Sequence, residues 1–316
     1  MKNKVIPAII IFLCVVTFVS CKKKVEISVP YLTTGELSGL SNHQVTCTGE
    51  VWQDGGAAVT ERGICWNTSD NPMVTDFKTV EGSGKGAFTS QISTLDSNTT
   101  YYIRAYATNS AGTSYGKILK FKTYTGYISD IDGNVYPTVT IGTQIWMASN
   151  LKTTKFRDGA TIANGNSPVI WSGTGASYCW YENDYTLYGS SYGALYNWYA
   201  ISNSKLAPTG WHVPSKAEWI TLSNTLGGAN IAGGKLKEED VFHWQSPNFN
   251  ATNEYGFTAL PGGTRSQQGD FSDLTVFGFW WNTDATPFMI YYDDQALTEG
   301  SLVSVGSGYS VRCIKN

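Results

Sequence analysis

The chain has 316 residues, room for two domains at ~100–200 residues each. Apolar residues make up 41% and charged residues only 15%, which supports sizeable cores and excludes a disordered polyelectrolyte. The formal net charge is −3, and no lysine or arginine stripe supplies the electrostatic footprint of a nucleic-acid-binding protein. Six cysteines and three histidines without close spacing give no zinc motif, so neither metal nor cofactor is expected. Aromatics reach 14%, and nine of the eleven tryptophans lie after residue 126.

The first twenty residues read as an address. Met1-Lys2-Asn3-Lys4 is a basic start, and residues 5–19 form an apolar run interrupted by Pro7 and Thr17. That run falls short of the ~20 residues a spanning helix needs. Phe18-Val19-Ser20-Cys21 resembles the lipobox of bacterial lipoproteins, with Phe18 where leucine is usual. The resemblance implies cleavage before Cys21 and acylation of its thiol, so a membrane is the first expected partner and the cell envelope the expected location. An uncleaved signal anchor and an ordinary signal peptide are the competing readings. Residues 21–27 then form a tether, in which Lys22-Lys23-Lys24 suits anionic headgroups; the leaflet stays open.

Residues 28–124 show short alternating runs separated by turn residues, the pattern of an all-β sandwich. Val45-Thr46-Cys47-Thr48-Gly49-Glu50-Val51 alternates, Asp54-Gly55-Gly56 is a turn, and Gly63-Ile64-Cys65-Trp66 reads as a core strand. Cys47 and Cys65 are either a disulfide between facing strands or two buried thiols. Leu95-Asp96-Ser97-Asn98-Thr99-Thr100-Tyr101-Tyr102-Ile103-Arg104-Ala105-Tyr106 resembles the tyrosine-corner segment of fibronectin type III domains. There the Tyr101 hydroxyl would bond upstream backbone. Such a sandwich serves as a spacer and says little about activity.

Residues 125–316 follow after a short link. Alternation on either side of Asp132-Gly133 and Gly142-Thr143 predicts consecutive hairpins. Asp130-Ile131-Asp132-Gly133-Asn134 is read as a turn and not a calcium loop, because the twelfth position from Asp130 is Ile141 and not a glutamate. Ser215 and Glu218 have capping-box spacing, with Trp219, Leu222 and Leu226 as the apolar stripe of a helix that Gly227-Gly228 stops. A shorter amphipathic helix is expected over residues 192–199, and a terminal strand over 309–315.

Six ordered blocks carry a second resemblance. They begin with Gly142-Thr143-Gln144-Ile145-Trp146-Met147, Gly193-Ala194-Leu195-Tyr196-Asn197-Trp198 and Pro208-Thr209-Gly210-Trp211-His212-Val213-Pro214-Ser215. Gly256-Phe257-Thr258-Ala259-Leu260-Pro261-Gly262-Gly263, Trp280-Trp281 and Ser310-Val311-Arg312-Cys313 complete the set. Together they resemble the Fibrobacter succinogenes major paralogous domain. The start Pro214-Ser215-Lys216-Ala217-Glu218-Trp219 is similar to that of formylglycine-generating enzymes, within the C-type-lectin-like folds. The resemblance implies a loop-rich α+β domain whose first and last strands pair, in a secreted lipoprotein without an assigned activity. Ala207 stands where many members carry a cysteine; a Cys179–Cys313 bridge is a candidate substitute, and a buried thiol at Cys313 the alternative.

The chemistry of those relatives is not expected here. Cys179 and Cys313 do not form an oxidase copper pair, and Thr283 interrupts the Trp281-Asn282 run where a lectin calcium site has Trp-Asn-Asp. His212 and His243 read as structural, and Asp293-Asp294 and Glu238-Glu239-Asp240 as solvated loops. What remains are two aromatic clusters beside polar groups. Trp180, Tyr181, Asp184, Trp280, Trp281 and Asp284 are the candidate ligand contacts, against the alternative that the rings fill a core. The leading expectation is a non-enzymatic, membrane-tethered binding or adhesion protein for a glycan or, second, a protein. An envelope polysaccharide-active enzyme and a structural envelope component are the alternatives; the oligomeric state stays open.

Overall fold

A computed structural model describes residues 26–301 and 303–316. The signal segment, Cys21 and the three lysines after it lie outside the described residues. Among the described residues no helix is long and apolar enough to cross a membrane.

The N-terminal strands are β1 (Tyr31–Ser38), β2 (Val45–Gln53), β3 (Glu61–Asn67), β4 (Phe77–Lys78), β5 (Gly86–Ile92), β6 (Thr100–Asn109), β7 (Gly112–Tyr115) and β8 (Leu119–Lys122). They form one sheet in the order β1-β2-β5 and a second in the order β4-β3-β6-β7, with β8 also paired to β6. Period-two alternation turns Val45, Cys47 and Val51 of β2 inward, to meet Ile64, Trp66, Ile103 and Ala105 of the other sheet. Gly49 sits on the same face because a Cβ there would come within 2.5 Å of the Phe88 ring. Tyr101 makes the expected corner: its hydroxyl accepts from the Asp96 N–H at 3.0 Å, with Leu95 buried beside it.

Cys47 and Cys65 are free thiols, which corrects the disulfide alternative. The same alternation explains why. Ile64 and Trp66 face the core, so Cys65 points to the opposite side of β3, where its Sγ approaches the Pro72 carbonyl at 3.6 Å.

Three residues after β8 the chain enters β9 (Gly126–Ser129), followed by β10 (Val135–Ile141) and β11 (Gln144–Met147). The Thr125 N–H donates to Thr138 O at 2.7 Å, and Lys122 Nζ to Thr140 O at 3.0 Å. Both hairpins form, with Ile141 opposite Gln144 and Ser129 opposite Val135. In the turn between β9 and β10, Asp130 Oδ1 accepts from the N–H groups of Asp132 and Asn134, each at 2.9 Å.

Beyond β11 come β12 (Ala163–Asn164), α1 (Pro168–Trp171), β13 (Ser177–Cys179), α2 (Ser190–Tyr192), β14 (Leu195–Tyr196), α3 (Trp198–Ile201), β15 (Trp211–His212), α4 (Lys216–Thr225) and α5 (Ala229–Leu236). The chain closes with β16 (Gly262–Arg265), β17 (Phe271–Leu274), β18 (Phe277–Trp281), β19 (Pro287–Tyr291), β20 (Thr298–Glu299) and β21 (Ile314–Lys315). A five-stranded sheet in the order β15-β21-β11-β10-β9 pairs the last strand with early ones, Ile314 lying opposite Trp146. Successive residues of this sheet feed two cores. Tyr136, Met147 and Cys313 face one; Val139, Trp146 and Ile314 face the other.

Helix α4 carries the capping box, with Ser215 accepting from the Glu218 N–H and Glu218 accepting from the Ser215 N–H. Its stripe of Trp219, Leu222 and Leu226 packs on Trp146, Trp280 and Phe288. The single helix expected over residues 192–199 does not form. Gly193, at φ +78° and ψ −167°, ends α2, and Leu195 and Tyr196 pair as a strand before Asn197 caps α3. The terminal strand is likewise shorter than expected, since Tyr309 and Ser310 make only isolated bridges.

Candidate functional site

The rings that the sequence suggests as ligand contacts are packed inside. Trp280 and Trp281 are both 0% exposed, and their indole N–H groups donate to Asn150 Oδ1 at 2.8 Å and Tyr196 O at 2.7 Å. Trp180 packs its buried ring against Tyr178 and Tyr185, and Tyr181 packs against Tyr188 and Phe271. The two exposed carboxylates serve as caps. Asp184 Oδ1 accepts from the Leu187 N–H at 2.9 Å, and Asp284 Oδ2 from the Lys216 N–H at 2.8 Å. These six residues therefore do not converge on a cleft. A loop-rich domain has few aliphatic layers, and large rings with internally satisfied N–H groups fill its interior instead.

Cys179 and Cys313 are also free and lie in different clusters. Cys179 packs with Trp171 and Leu195, Cys313 with Tyr136 and Val311, so of the two alternatives the structure has buried thiols and no bridge. Among the described residues no three His, Cys, Asp or Glu side chains converge where they could hold a metal ion.

A different aromatic residue meets solvent beside polar groups. Trp198, first in α3, is half-buried, and its ring rests 5.6 Å from that of Trp281 at a 55° tilt. It helps to enclose a cavity of about 350 Å³ with Ile201, Ser202, Asn203, His212, Val213 and Thr283. The local sequence accounts for each part. Asn197 caps α3 by accepting from the Ala200 N–H at 3.1 Å, which fixes where Trp198 begins. The Thr283 N–H donates to Pro214 O at 3.0 Å and carries the loop after β18 to the cavity wall.

His212 is held at both ring nitrogens. Nδ1 lies 2.7 Å from Asn316 Oδ1, and Nε2 lies 2.8 Å from Glu218 Oε1. Burial pushes the Glu218 carboxyl up, but hydrogen bonds from the Ser215 N–H, His212 and the Ser215 hydroxyl outweigh it and hold the group below its usual value. The capping box thus does double work, starting α4 and fixing the imidazole at the cavity rim. Asn203 Oδ1 accepts from the Lys205 N–H at 2.9 Å, which turns the polar segment 202–204 toward the opening.

Sequence reasoning missed Trp198 because its segment reads as a helix face. The signal was present, since Ser202-Asn203-Ser204 follows the ring just as polar residues follow the two clusters that were singled out. A larger groove, about 960 Å³, runs between residues 35–37, 117–121, 239–240 and 252–254. Its walls mix charged side chains such as Glu36, Lys117 and Asp240 with the aliphatic Leu37, Ile118 and Leu119, and its one ring, Phe121, is buried.

With this geometry in view, the family model described as the Fibrobacter succinogenes major domain matches residues 139–315. No curated protein sequence matches the chain. Among solved structures, the sensor domain of the anti-sigma factor RsgI4 in Pseudobacteroides cellulosolvens is similar at 17% identity and TM-score 0.24, over 31% of this chain and 97% of that one. Domains A168–A170 of titin are similar at 19% identity and TM-score 0.23, over 31% of this chain and 32% of that one. The twitchin kinase region from C. elegans reaches 18% identity and TM-score 0.24, over 35% and 19%.

Proposed function

Because the chain belongs to the Fibrobacter succinogenes major domain family, we propose that it is a membrane-anchored envelope lipoprotein that binds a glycan without turning it over. In this reading Cys21 carries the lipid. Residues 28–124 act as a spacer with a fibronectin type III-like fold, and the Tyr101 corner supports that fold. Residues 125–316 form a C-type-lectin-like binding domain, supported by the pairing of its last strand with early ones. The lipobox, not the fold, argues for the cell envelope.

The observation that carries the reading is the cavity under Trp198. At about 350 Å³ it sits at the low end of the ~300–1,000 Å³ range of ligand pockets. It sets one available ring face beside hydroxyl, amide and imidazole groups, which suits a single sugar unit that stacks one face and bonds its hydroxyls. A binding role is favoured over hydrolysis because both nitrogens of His212 are already engaged, which leaves neither to take a proton from a ligand.

The test is a glycan array followed by titration with the full acylated chain. Saturable binding that weakens at least ~10-fold, or ~1.4 kcal/mol, in Trp198→Ala is the expected result. Binding that Trp198→Ala leaves unchanged would remove this cavity as the site. Turnover of an envelope polysaccharide by the unmodified chain would replace binding with catalysis.

A further inference from the structure

We propose that the tether-proximal end of the sandwich is a membrane-seating surface, which rests in the headgroup layer of the bilayer that holds the lipid anchor. The proposal rests on the reading of Cys21 as acylated and says what that anchor does to the folded domain.

Four large apolar side chains crowd the point where the described chain begins, and all are exposed: Ile27 at 53%, Val29 at 43%, Tyr31 at 61% and Trp52 at 54%. They are held together by backbone, not by chance. The Ser28 N–H donates to Gly55 O at 2.9 Å, and Asn109 Nδ2 donates to Ser28 O and Asp54 O, each at 2.7 Å. The first segment is thereby pinned across the turn that follows β2. Gly55 permits this approach, because it sits at φ +71° and a Cβ there would come within 2.1 Å of Ser28 O. On β1 the alternation that buries Leu32 turns Tyr31 and Thr33 outward. Trp52 Nε1 donates to Thr33 Oγ1 at 3.1 Å, which lays the indole on that same outer face.

Position selects the occupant. Four residues separate Cys21 from Glu26, so the acylated cysteine lies no farther than ~18 Å from Glu26 even when that stretch is fully extended. A sandwich tied that closely always has its near end within reach of the headgroups. Tyrosine and tryptophan favour that layer, since their rings suit the interface and their polar tips stay wet. Lys22, Lys23 and Lys24 add attraction to anionic lipid between the anchor and the patch. Glu26 lies on the anchor side of the patch, where Lys22, Lys23 and Lys24 offset its charge. Asp54 with its partner Lys85 at 3.6 Å, and Glu50, cross-strand from Thr33, lie at the far edge and mark where the surface leaves the membrane.

The distribution of tryptophan makes the test direct. Trp52 is exposed and Trp198 half-buried, while the other nine are buried. The acylated full chain is reconstituted into vesicles of phosphatidylethanolamine and phosphatidylglycerol, with and without brominated acyl chains, and the Trp52 share of emission is isolated by difference against Trp52→Phe. Seating predicts loss of that share in brominated vesicles, and its recovery in a Val29→Ser, Tyr31→Ser variant that remains vesicle-bound. Equal Trp52 emission in both vesicle types from a chain shown by mass to be acylated overturns the seating alone. A Trp52 environment already shielded in the lipid-free Cys21→Ser chain, together with a dimeric mass, overturns it in favour of a second copy. A mature chain without lipid on Cys21 that does not float with vesicles overturns the anchor and the seating together.

Discussion

Trp198 and Trp281 lie 5.6 Å apart and have opposite duties. Trp281 is fully buried and bonded through its indole N–H, so Trp281→Ala should leave a cavity and cost ~3–5 kcal/mol of stability. Trp198 gives up less packing, and Trp198→Ala should cost ~1–2 kcal/mol of stability while it weakens ligand binding at least ~10-fold. Urea denaturation of both variants checks the contrast; equal losses would make Trp198 a core residue and not a ligand platform. Buried cations show the same distance between residue type and residue role. Arg312 donates to Asn150 Oδ1 at 2.9 and 3.1 Å and to the carbonyls of Phe257 and Thr258, with its guanidinium 4.2 Å from the Phe257 ring. Arg265 lies over Trp171 and Phe271, and Lys237 Nζ donates to three carbonyls. The Ser310-Val311-Arg312-Cys313 block is visible in the sequence, but nothing in its pattern says that the arginine points inward. That depends on carbonyls supplied by residues 257 and 258.

At the level of elements, legibility followed locality. The capping box of α4 and the turns at Asp132-Gly133 and Gly142-Thr143 form as read, because a few neighbouring residues satisfy the bonds that define them. The run 192–199 has equally good periodicity but divides into helix, strand and helix, because Tyr196 exchanges bonds with Tyr309 and Leu195 pairs with Cys179. Long-range pairing outweighs a local preference of a few tenths of a kcal/mol per residue. The turn before β10 offers a test by pH. Burial pushes the Asp132 carboxyl up. Bonds from the Thr154 N–H, Lys155, the Thr154 hydroxyl and the Thr153 hydroxyl outweigh it and hold the group below 3.8. The folded protein therefore binds fewer protons at this group than the unfolded one. Its stabilisation is present above pH 3.8 and lost as pH falls through the folded value. Asp132→Asn should cost ~1–3 kcal/mol at pH 6, with the deficit shrinking at pH 3. A deficit that does not change with pH, measured by urea midpoints, would show that the ionised carboxylate is not what ties the turn to residues 153–155.

For the whole molecule, the four described thiols decide how it responds to oxidants. Burial pushes Cys47 and Cys179 up to about 12 and Cys65 up to about 11, and raises Cys313 further still. Thiolate is the reactive form, so these groups stay inert in an oxidising compartment while the protein is folded. The melting temperature should not change on addition of dithiothreitol, and a thiol reagent should modify these four cysteines only after unfolding. Modification of the native chain, or a reductant-sensitive melt, would show that a bridge forms. The sequence by itself determined the turns, the helix cap, the corner tyrosine and the ordered blocks that mark the family, because each is defined by neighbours along the chain. Only the tertiary structure decided that the singled-out rings are core, that the cysteines face apart, and that Trp198 lines the cavity. Exposure is a property of what packs against a side chain from elsewhere, and a linear pattern carries that information only within its own strand or helix.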